Sequence, residues 1–327
     1  MTPGCFVISL DFELYWGVRD VVALDDYRQR LLGERDVIPA MLELFARYGV
    51  HVTWAAVGFL FARDRGHLEA SFPRVLPTYA DPSLSPYRYA GTIGRTEADD
   101  PFHYAAGLLE RIAQTPGQEI GTHTFSHYYC LERGQTAEQF EADLAAAARI
   151  GERFGTVCNS LVFPRNQYNP SYRDVLRRAG VRAYRSNGPG WAYRPRAGAH
   201  DSPLRRIARL ADSYAPLFGA GARAPGVFDD GGPIDIPASA FLRPLTPKTF
   251  PFRCAQLERI GLGMRRAAEC GELFHLWWHP HNFGMYGKQN LEMLDAILQR
   301  FDTLRRRYGF MTSTMNEAAG WARGRDA

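Results

Sequence analysis

The sequence predicts an α/β fold in which parallel strands and helices alternate and build a barrel-like body, with long loops gathered at one face. Three observations predict it. Short apolar runs alternate with segments of helical periodicity along almost the whole chain. Four of those runs end in polar clusters, Asp11/Glu13, His123/His127, Arg165 and His279/His281. There is no internal repeat or low-complexity tract that would make a solenoid.

The elements follow in order. Residues 5–10 are an apolar run that reads as a buried strand ending at Asp11-Phe-Glu13. Strand side chains alternate, so the two carboxylates share a side if the strand continues. From 25 to 48, Ile38, Met41, Leu42, Leu44 and Phe45 recur with helical spacing up to Gly49. The run 50–57 is the next strand, and strand–helix–strand implies a parallel pair with a right-handed crossover. Residues 71–104 hold five prolines and two glycines scattered among tyrosines and acids, with little periodicity, so they read as a lid or substrate-binding insertion. A short helix near 104–114 and a strand running into His123 come next. Thr136-Ala-Glu-Gln139 has capping-box spacing and opens a helix to about Phe154. The rest reads as a strand over 157–163, a helix near 170–179, a strand near 181–185 and a second irregular excursion over 186–235, with a helix near 202–212. A strand near 233–236, a helix near 254–269, the strand 272–278, a helix at about 288–307, a strand from Phe310 and a terminal helix complete the alternation. The whole, residues 1–327, is read as one catalytic domain with two insertions.

Composition bounds the function. At 327 residues with 46% hydrophobic and 23% charged residues, the chain is an ordinary globular protein with enough core to fold. Its 39 Lys+Arg against 35 Asp+Glu leave only +4, too little to argue for nucleic acid. Arg177-Arg178, Arg205-Arg206 and Arg305-Arg306-Arg307 ordinarily read as solvated helix faces; the other reading is contact with a phosphate-bearing substrate or an anionic membrane. The five cysteines are scattered without a CxxC, which fits a reducing compartment. No run reaches the roughly 18 apolar residues a membrane-crossing helix needs. No leader-like segment precedes the first strand, so the expected location is the cytoplasm.

The chemistry centres on Glu119-Ile-Gly-Thr-His-Thr-Phe-Ser-His127. His123 and His127, four apart, are expected on one side of a helical turn, within reach of one ion. Alone such a pair is weak evidence, but a strand running straight into His123 is how barrel sites are built. Glu13 would complete a two-His, one-carboxylate set with positions left for water. Asp11 beside it can take a proton from that water, and Arg165 can hold Asp11 ionised, or serve only as a structural ion pair. His279 can protonate a departing amine, or be a satisfied buried histidine beside Trp277 and Trp278. His281 reads as a turn residue. Tyr15, Trp16, Tyr168, Trp191 and Trp278 are the aromatics for sugar stacking, though such residues are more often core.

These residues resemble the metal-dependent polysaccharide deacetylases of carbohydrate esterase family four, from Asp11 to about Thr312. His123-Thr-Phe-Ser-His127 is similar to that family's His-(Ser/Thr)-x-x-His metal motif. Ser9-Leu-Asp-Phe-Glu13 resembles its first motif, Pro164-Arg-Asn-Gln-Tyr168 its arginine motif, and Leu276-Trp-Trp-His279 its final Leu-x-His motif with one extra residue. The resemblance implies a distorted, incomplete (β/α)7-type barrel, a divalent metal that is zinc or else cobalt, nickel or manganese, and hydrolysis of an N-acetyl group on a sugar. It also implies that the backbone amide of Tyr168 helps form the oxyanion site. Phe12 replaces a usual second aspartate, which makes Glu13 the expected ligand. The fourth motif, an Asp orienting the catalytic His, has no clear counterpart: Ser186-Asn187 stand there, with Asp201 or Asp212 as substitutes. The expected substrate is a sugar, a nucleotide sugar or a lipid-linked glycan precursor. Deformylation of a formamido sugar, cleavage of another small amide, and an inactive glycan-binding protein of the same fold are the alternatives.

Overall fold

In a computed structural model, residues 3–156, 158–198, 202–226 and 231–326 are described. Among the described residues, nine parallel strands form one sheet: β1 (Cys5–Phe12), β2 (Val52–Ala56), β3 (Gln118–Thr122), β4 (Ser160–Val162), β5 (Ala183–Arg185), β6 (Ile234–Asp235), β7 (Ala240–Phe241), β8 (Leu273–Trp278) and β9 (Met311–Ser313). The order is β6-β5-β4-β3-β2-β1-β8-β7, with β9 added beside β1. The path starts and ends on strands separated only by residues 236–239, so the sheet curls back on itself as a distorted (β/α)7-type barrel.

The helices are α1 (Leu24–Tyr48), α2 (Arg65–Ala70), α3 (Tyr87–Ala90), α4 (Ala106–Gln114), α5 (Ala137–Gly151), α6 (Arg173–Arg178), α7 (Pro203–Asp212), α8 (Arg253–Cys270), α9 (Gly287–Tyr308) and α10 (Met315–Asp326). Their ends obey the sequence signals. Thr136 caps α5 with the reciprocal Gln139 bond, and Gly49, Gly271 and Gly309 take the left-handed conformation that stops α1, α8 and α9. β7 is only two residues long, too short to leave a period in the sequence.

Strand parity sorts the core. On β1, Phe6, Ile8, Leu10 and Phe12 point outward into a cluster with α1 and α9, where Phe6 meets Phe301 at 5.3 Å between ring centroids. Cys5 and Val7 point inward with Ala55, Val162, Ala183 and Leu273, against Met315, Ala318 and Ala322 of α10. Further along the same inward rows come Ser9 and Asp11 on β1, Arg185 on β5, and His275 and Trp277 on β8. The barrel is therefore apolar at the end plugged by α10 and polar at the other.

Residues 71–104 are anchored, not loose. Tyr87, Ile93, Phe102 and Tyr104 are buried in the core, and Arg35 donates to the Pro101 and Tyr104 carbonyls and pairs with Glu97. In the second excursion a helix does form over Pro203–Asp212. No helix among the described residues is long and apolar enough to cross a membrane.

Candidate metal centre and active site

Glu13 lies just past β1, and His123 just past β3; both are almost fully buried. The Glu13 Oε2 atom is 3.4 Å from His123 Nε2 and 3.2 Å from His127 Nε2. Donors about 2.0–2.2 Å from a common tetrahedral ion stand about 3.3 Å apart, so this set fits such an ion with little movement. All three ligand atoms lie within 4.8 Å of one another.

The expected helical turn is not there. Residues 123–128 form a loop in which Thr124 and His127 adopt left-handed φ values of 65° and 57°. It is tied to its surroundings instead. The His123 amide donates to the Ala56 carbonyl (2.8 Å), and the Gly58 and Phe59 amides donate to Thr124 and Phe125. Beneath the loop, the buried Asp143 of α5 accepts from the Phe125 and Ser126 amides and the Ser126 hydroxyl, at 2.6, 3.2 and 2.5 Å.

The outer ring nitrogens fix the tautomers. His123 Nδ1–H donates to the Val162 carbonyl (2.9 Å), which turns Nε2 toward Glu13. His127 Nδ1–H donates to the Tyr129 hydroxyl (3.2 Å), which donates to Asp20 (3.1 Å). Burial drives the His127 pKa down to about 4, keeping it neutral as a ligand must be. Burial would raise the Glu13 pKa, but the His279 charge and the contacts with His123 and His127 outweigh it and hold the carboxyl well below its usual range. Gly17 provides the space: a Cβ there would sit 1.9 Å from Glu13 Cδ.

Asp11 is 2% exposed and forms a two-pronged pair with Arg185, at 2.7 Å for each bond. Arg185 also donates to Ser9 (2.9 Å) and Asn166 (3.1 Å) and lies 4.2 Å from the centroid of the Trp277 ring. Ser9 in turn meets Nε2 of the buried His275 (2.8 Å). Burial opposes the ionised Asp11 carboxylate, yet the Arg185, His279 and His123 charges and the Arg185 bonds hold its pKa below the usual value. His279 Nε2 stands 3.6 Å from Asp11 Oδ2 and 3.7 Å from Glu13 Oε1.

Several expectations need correction. Arg165 does not pair with Asp11. It sits in a left-handed turn (φ 52°) after β4, from which its guanidinium reaches Asp20 at 2.5 Å and covers the Tyr129 ring at 4.1 Å. It thus supports the chain of bonds behind His127, and the Asp11 partner is Arg185, at the inward end of β5. Trp278 faces the core, fully buried and stacked on Phe283; parity puts Trp277 on the His279 side. Trp191 is 44% exposed, edge-on to Phe218, and does not line the cleft described next. The Tyr168 ring stacks on Tyr184, 5.0 Å away. His281 is more than a turn residue: it is buried, its ring is 5.0 Å from that of His279, and its Nδ1 stands 3.9 Å from Glu13. Of the substitutes for the fourth motif, Asp201 lies outside the described residues. Asp212 is taken by the Tyr193 hydroxyl (2.9 Å) and Arg259 (3.8 Å), and Ser186 by Asp235 (2.8 Å). Among the described residues, the carboxylates that approach His279 are Asp11 and Glu13.

The site opens into a cleft of about 370 Å³ lined by His279, Trp277, Phe241, Tyr193 and Arg243, and by Arg165 and Asn166. A profile of the family described as "Polysaccharide deacetylase" matches residues 21–184. This chain belongs to the polysaccharide deacetylase family. Among solved structures it is similar to a Mycobacterium smegmatis protein described as a polysaccharide deacetylase, with 12% identity over 100% of this chain and 92% of the other, at a TM-score of 0.60. A 4-alpha-glucanotransferase from Thermococcus litoralis shares the fold at 11% identity and a TM-score of 0.53, over 97% of this chain and 40% of the other. Puue allantoinase does so at 12% and 0.51, over 97% and 89%. No curated protein matches. The family profile ends before the last strands, so the placement of His279 beside Asp11 comes from the fold and not from the matched segment.

Proposed function

We propose that this polysaccharide deacetylase family member is an active metal-dependent hydrolase that removes an N-acetyl group from a sugar. Glu13, His123 and His127 would hold one divalent cation, and two imidazoles with a carboxylate favour zinc, with cobalt, nickel or manganese as substitutes. When bound, that cation supplies a Lewis acid beside the substrate amide. The observation that carries the reading is the convergence of this donor set, spaced for one ion, on the ionised and arginine-clamped Asp11 and on His279.

The protein side chains divide the proton work. Asp11, held ionised and oriented by Arg185, takes a proton from the attacking water at the oxygen nearer His279. His279, 24% exposed at its side chain and lining the cleft, gives a proton to the departing amine. Trp277 and Phe241 wall the cleft where a sugar ring would lie. The Tyr168 backbone amide remains our proposal for the oxyanion contact. Residues 1–327 act as one catalytic unit, in the cytoplasm, in the making of a glycan. The five cysteines, all unpaired, support that compartment. The substrate class is a sugar, a nucleotide sugar or a lipid-linked precursor.

The test is acetate release from N-acetylated sugars by metal-stripped protein reconstituted with zinc or cobalt. Asp11→Asn is expected to lose about 10²–10⁴ of the turnover while its metal content stays unchanged. Loss of the metal with the activity would make Asp11 a ligand and overturn the assignment. Release of formate from an N-formylated sugar, with no acetate released from the N-acetylated one, would make the enzyme a deformylase; sugar binding with no release would make it a glycan-binding protein.

A further inference from the structure

Helix α7 is built inside out. Leu204, Ile207 and Leu210 recur along one face and are 65%, 62% and 43% exposed, whereas the one buried residue of the helix is Asp212. An ordinary surface helix turns such a stripe to the core. Leu217, Phe252 and Phe250 extend the apolar surface at 56%, 53% and 40% exposure, with Phe252 packed 5.4 Å from Tyr214, just beyond α7.

The flank of the same helix is cationic and opens on the active site. Arg205 and Arg209 line the cleft that contains His279, together with Arg165, Arg194, Arg196 and Arg243; among the described residues, no acidic one lines it. Among the described residues, the Arg194 guanidinium and the terminal nitrogens of Arg243 have no acceptor; Arg243 spends only its Nε–H, on Ser213 (2.7 Å). Burial and the neighbouring Arg209 charge lower the Arg243 pKa below its ordinary value, which is the cost an anion would offset. Arg194 and Arg243, whose donors line the cleft, are suited to a phosphate, whereas the Arg205 guanidinium is held by the Ala192 and Arg194 carbonyls.

We propose that α7 and this cleft form a membrane-facing mouth: the apolar face of α7 rests on an anionic bilayer, and the arginines take the phosphate of a lipid-linked sugar whose acylated nitrogen reaches His279. This rests on the hydrolase reading given above. A basic flank beside an exposed Leu/Ile/Phe face is the make-up of a helix that lies in the lipid headgroup layer. A second copy of the chain would bring the same arginines to the contact, and like charges oppose that pairing. A nucleotide sugar would satisfy the cleft but leave the α7 face in water.

The test uses the full chain and cosedimentation with mixed phosphatidylcholine–phosphatidylglycerol vesicles against phosphatidylcholine alone. The mixed vesicles are expected to bind at least about tenfold more tightly, with the gain falling as salt rises. Leu204→Glu with Ile207→Glu, at exposed positions where folding is not at stake, removes the binding. A second arm compares acetate release from a polyprenyl-diphosphate-linked N-acetylglucosamine with that from UDP-N-acetylglucosamine, and the lipid-linked substrate is expected to be preferred. Absence of vesicle binding, a stable dimer that the double substitution dissolves, or preference for the nucleotide overturns the proposal. Vesicle binding needs neither metal nor turnover. Binding without acetate release from any sugar would therefore sink the hydrolase reading alone, and release from soluble sugars without binding would sink the membrane-facing mouth alone.

Discussion

Gly17→Ala is the sharpest probe of the proposed metal centre, because it displaces Glu13 without replacing any of the three side chains. The new Cβ would stand 1.9 Å from Glu13 Cδ and 2.2 and 2.3 Å from the two carboxylate oxygens. Carbon atoms in van der Waals contact stand about 3.5 Å apart, so the Glu13 carboxylate must retreat by about 1.6 Å or the turn must open. Metal–donor distances tolerate about 0.2 Å. The displaced carboxylate is thus lost as a ligand, and two imidazoles alone remain. Metal affinity, measured by competition with a chromophoric chelator, is expected to fall by at least the 10–100-fold seen when a ligand's support is removed. A thermal melt of the metal-free protein, compared with that of the metal-free wild type, separates this from unfolding. If Gly17→Ala binds zinc with wild-type affinity and stoichiometry, Glu13 is not held as described and the three-residue centre is wrong.

The remaining predictions concern what surrounds that centre. Arg185→Gln leaves Asp11 buried without its counter-charge, which is expected to cost about 3–5 kcal/mol of stability in denaturant titration. It also raises the Asp11 pKa: the inactive, protonated base then persists to higher pH, and the acidic limb of the kcat/KM profile moves up by about 1–3 units. The sign for folding agrees, since a depressed carboxyl contributes stability above its unfolded pKa and loses it as pH falls through the folded one. Asp143→Ala orphans the buried Phe125 and Ser126 donors, at about 1–3 kcal/mol each, and lowers metal affinity and melting temperature together. Trp278→Ala empties core volume and costs about 3–5 kcal/mol of stability, whereas Trp277→Ala, at the cleft wall, is expected to raise KM with a smaller loss of stability.

The regular body of the protein was readable because burial leaves a period in the sequence. The apolar run at 5–10 became β1, the spacing from Ile38 to Phe45 became the buried stripe of α1, and the Thr136/Gln139 box opened α5. Placing polar residues at strand ends singles out Asp11, Glu13, His123 and His279, which the fold brings side by side. The same rule covers Arg185, which ends the strand expected near 181–185, whereas Arg165 stands after Pro164, past the end of its strand's apolar run. Parity on β8 was also available: a residue two before His279 shares its side, which selects Trp277 over Trp278. Other features were not legible. A loop that joins His123 to His127 through left-handed residues has no period, and its clamp, Asp143, is a single acid on a helix. Space at Gly17 and the outward stripe of α7 are facts of packing, which a pattern of residue types does not carry.

The most direct test of the central claim is an anomalous-scattering crystal structure of zinc-soaked protein, with data on both sides of the zinc absorption edge. The account predicts one anomalous peak, about 2.0–2.2 Å from Glu13 Oε2, His123 Nε2 and His127 Nε2, with Asp11 still paired to Arg185 and outside the coordination shell. Zinc bound by Asp11 in place of Glu13, or no peak among the three residues at saturating zinc, would contradict it.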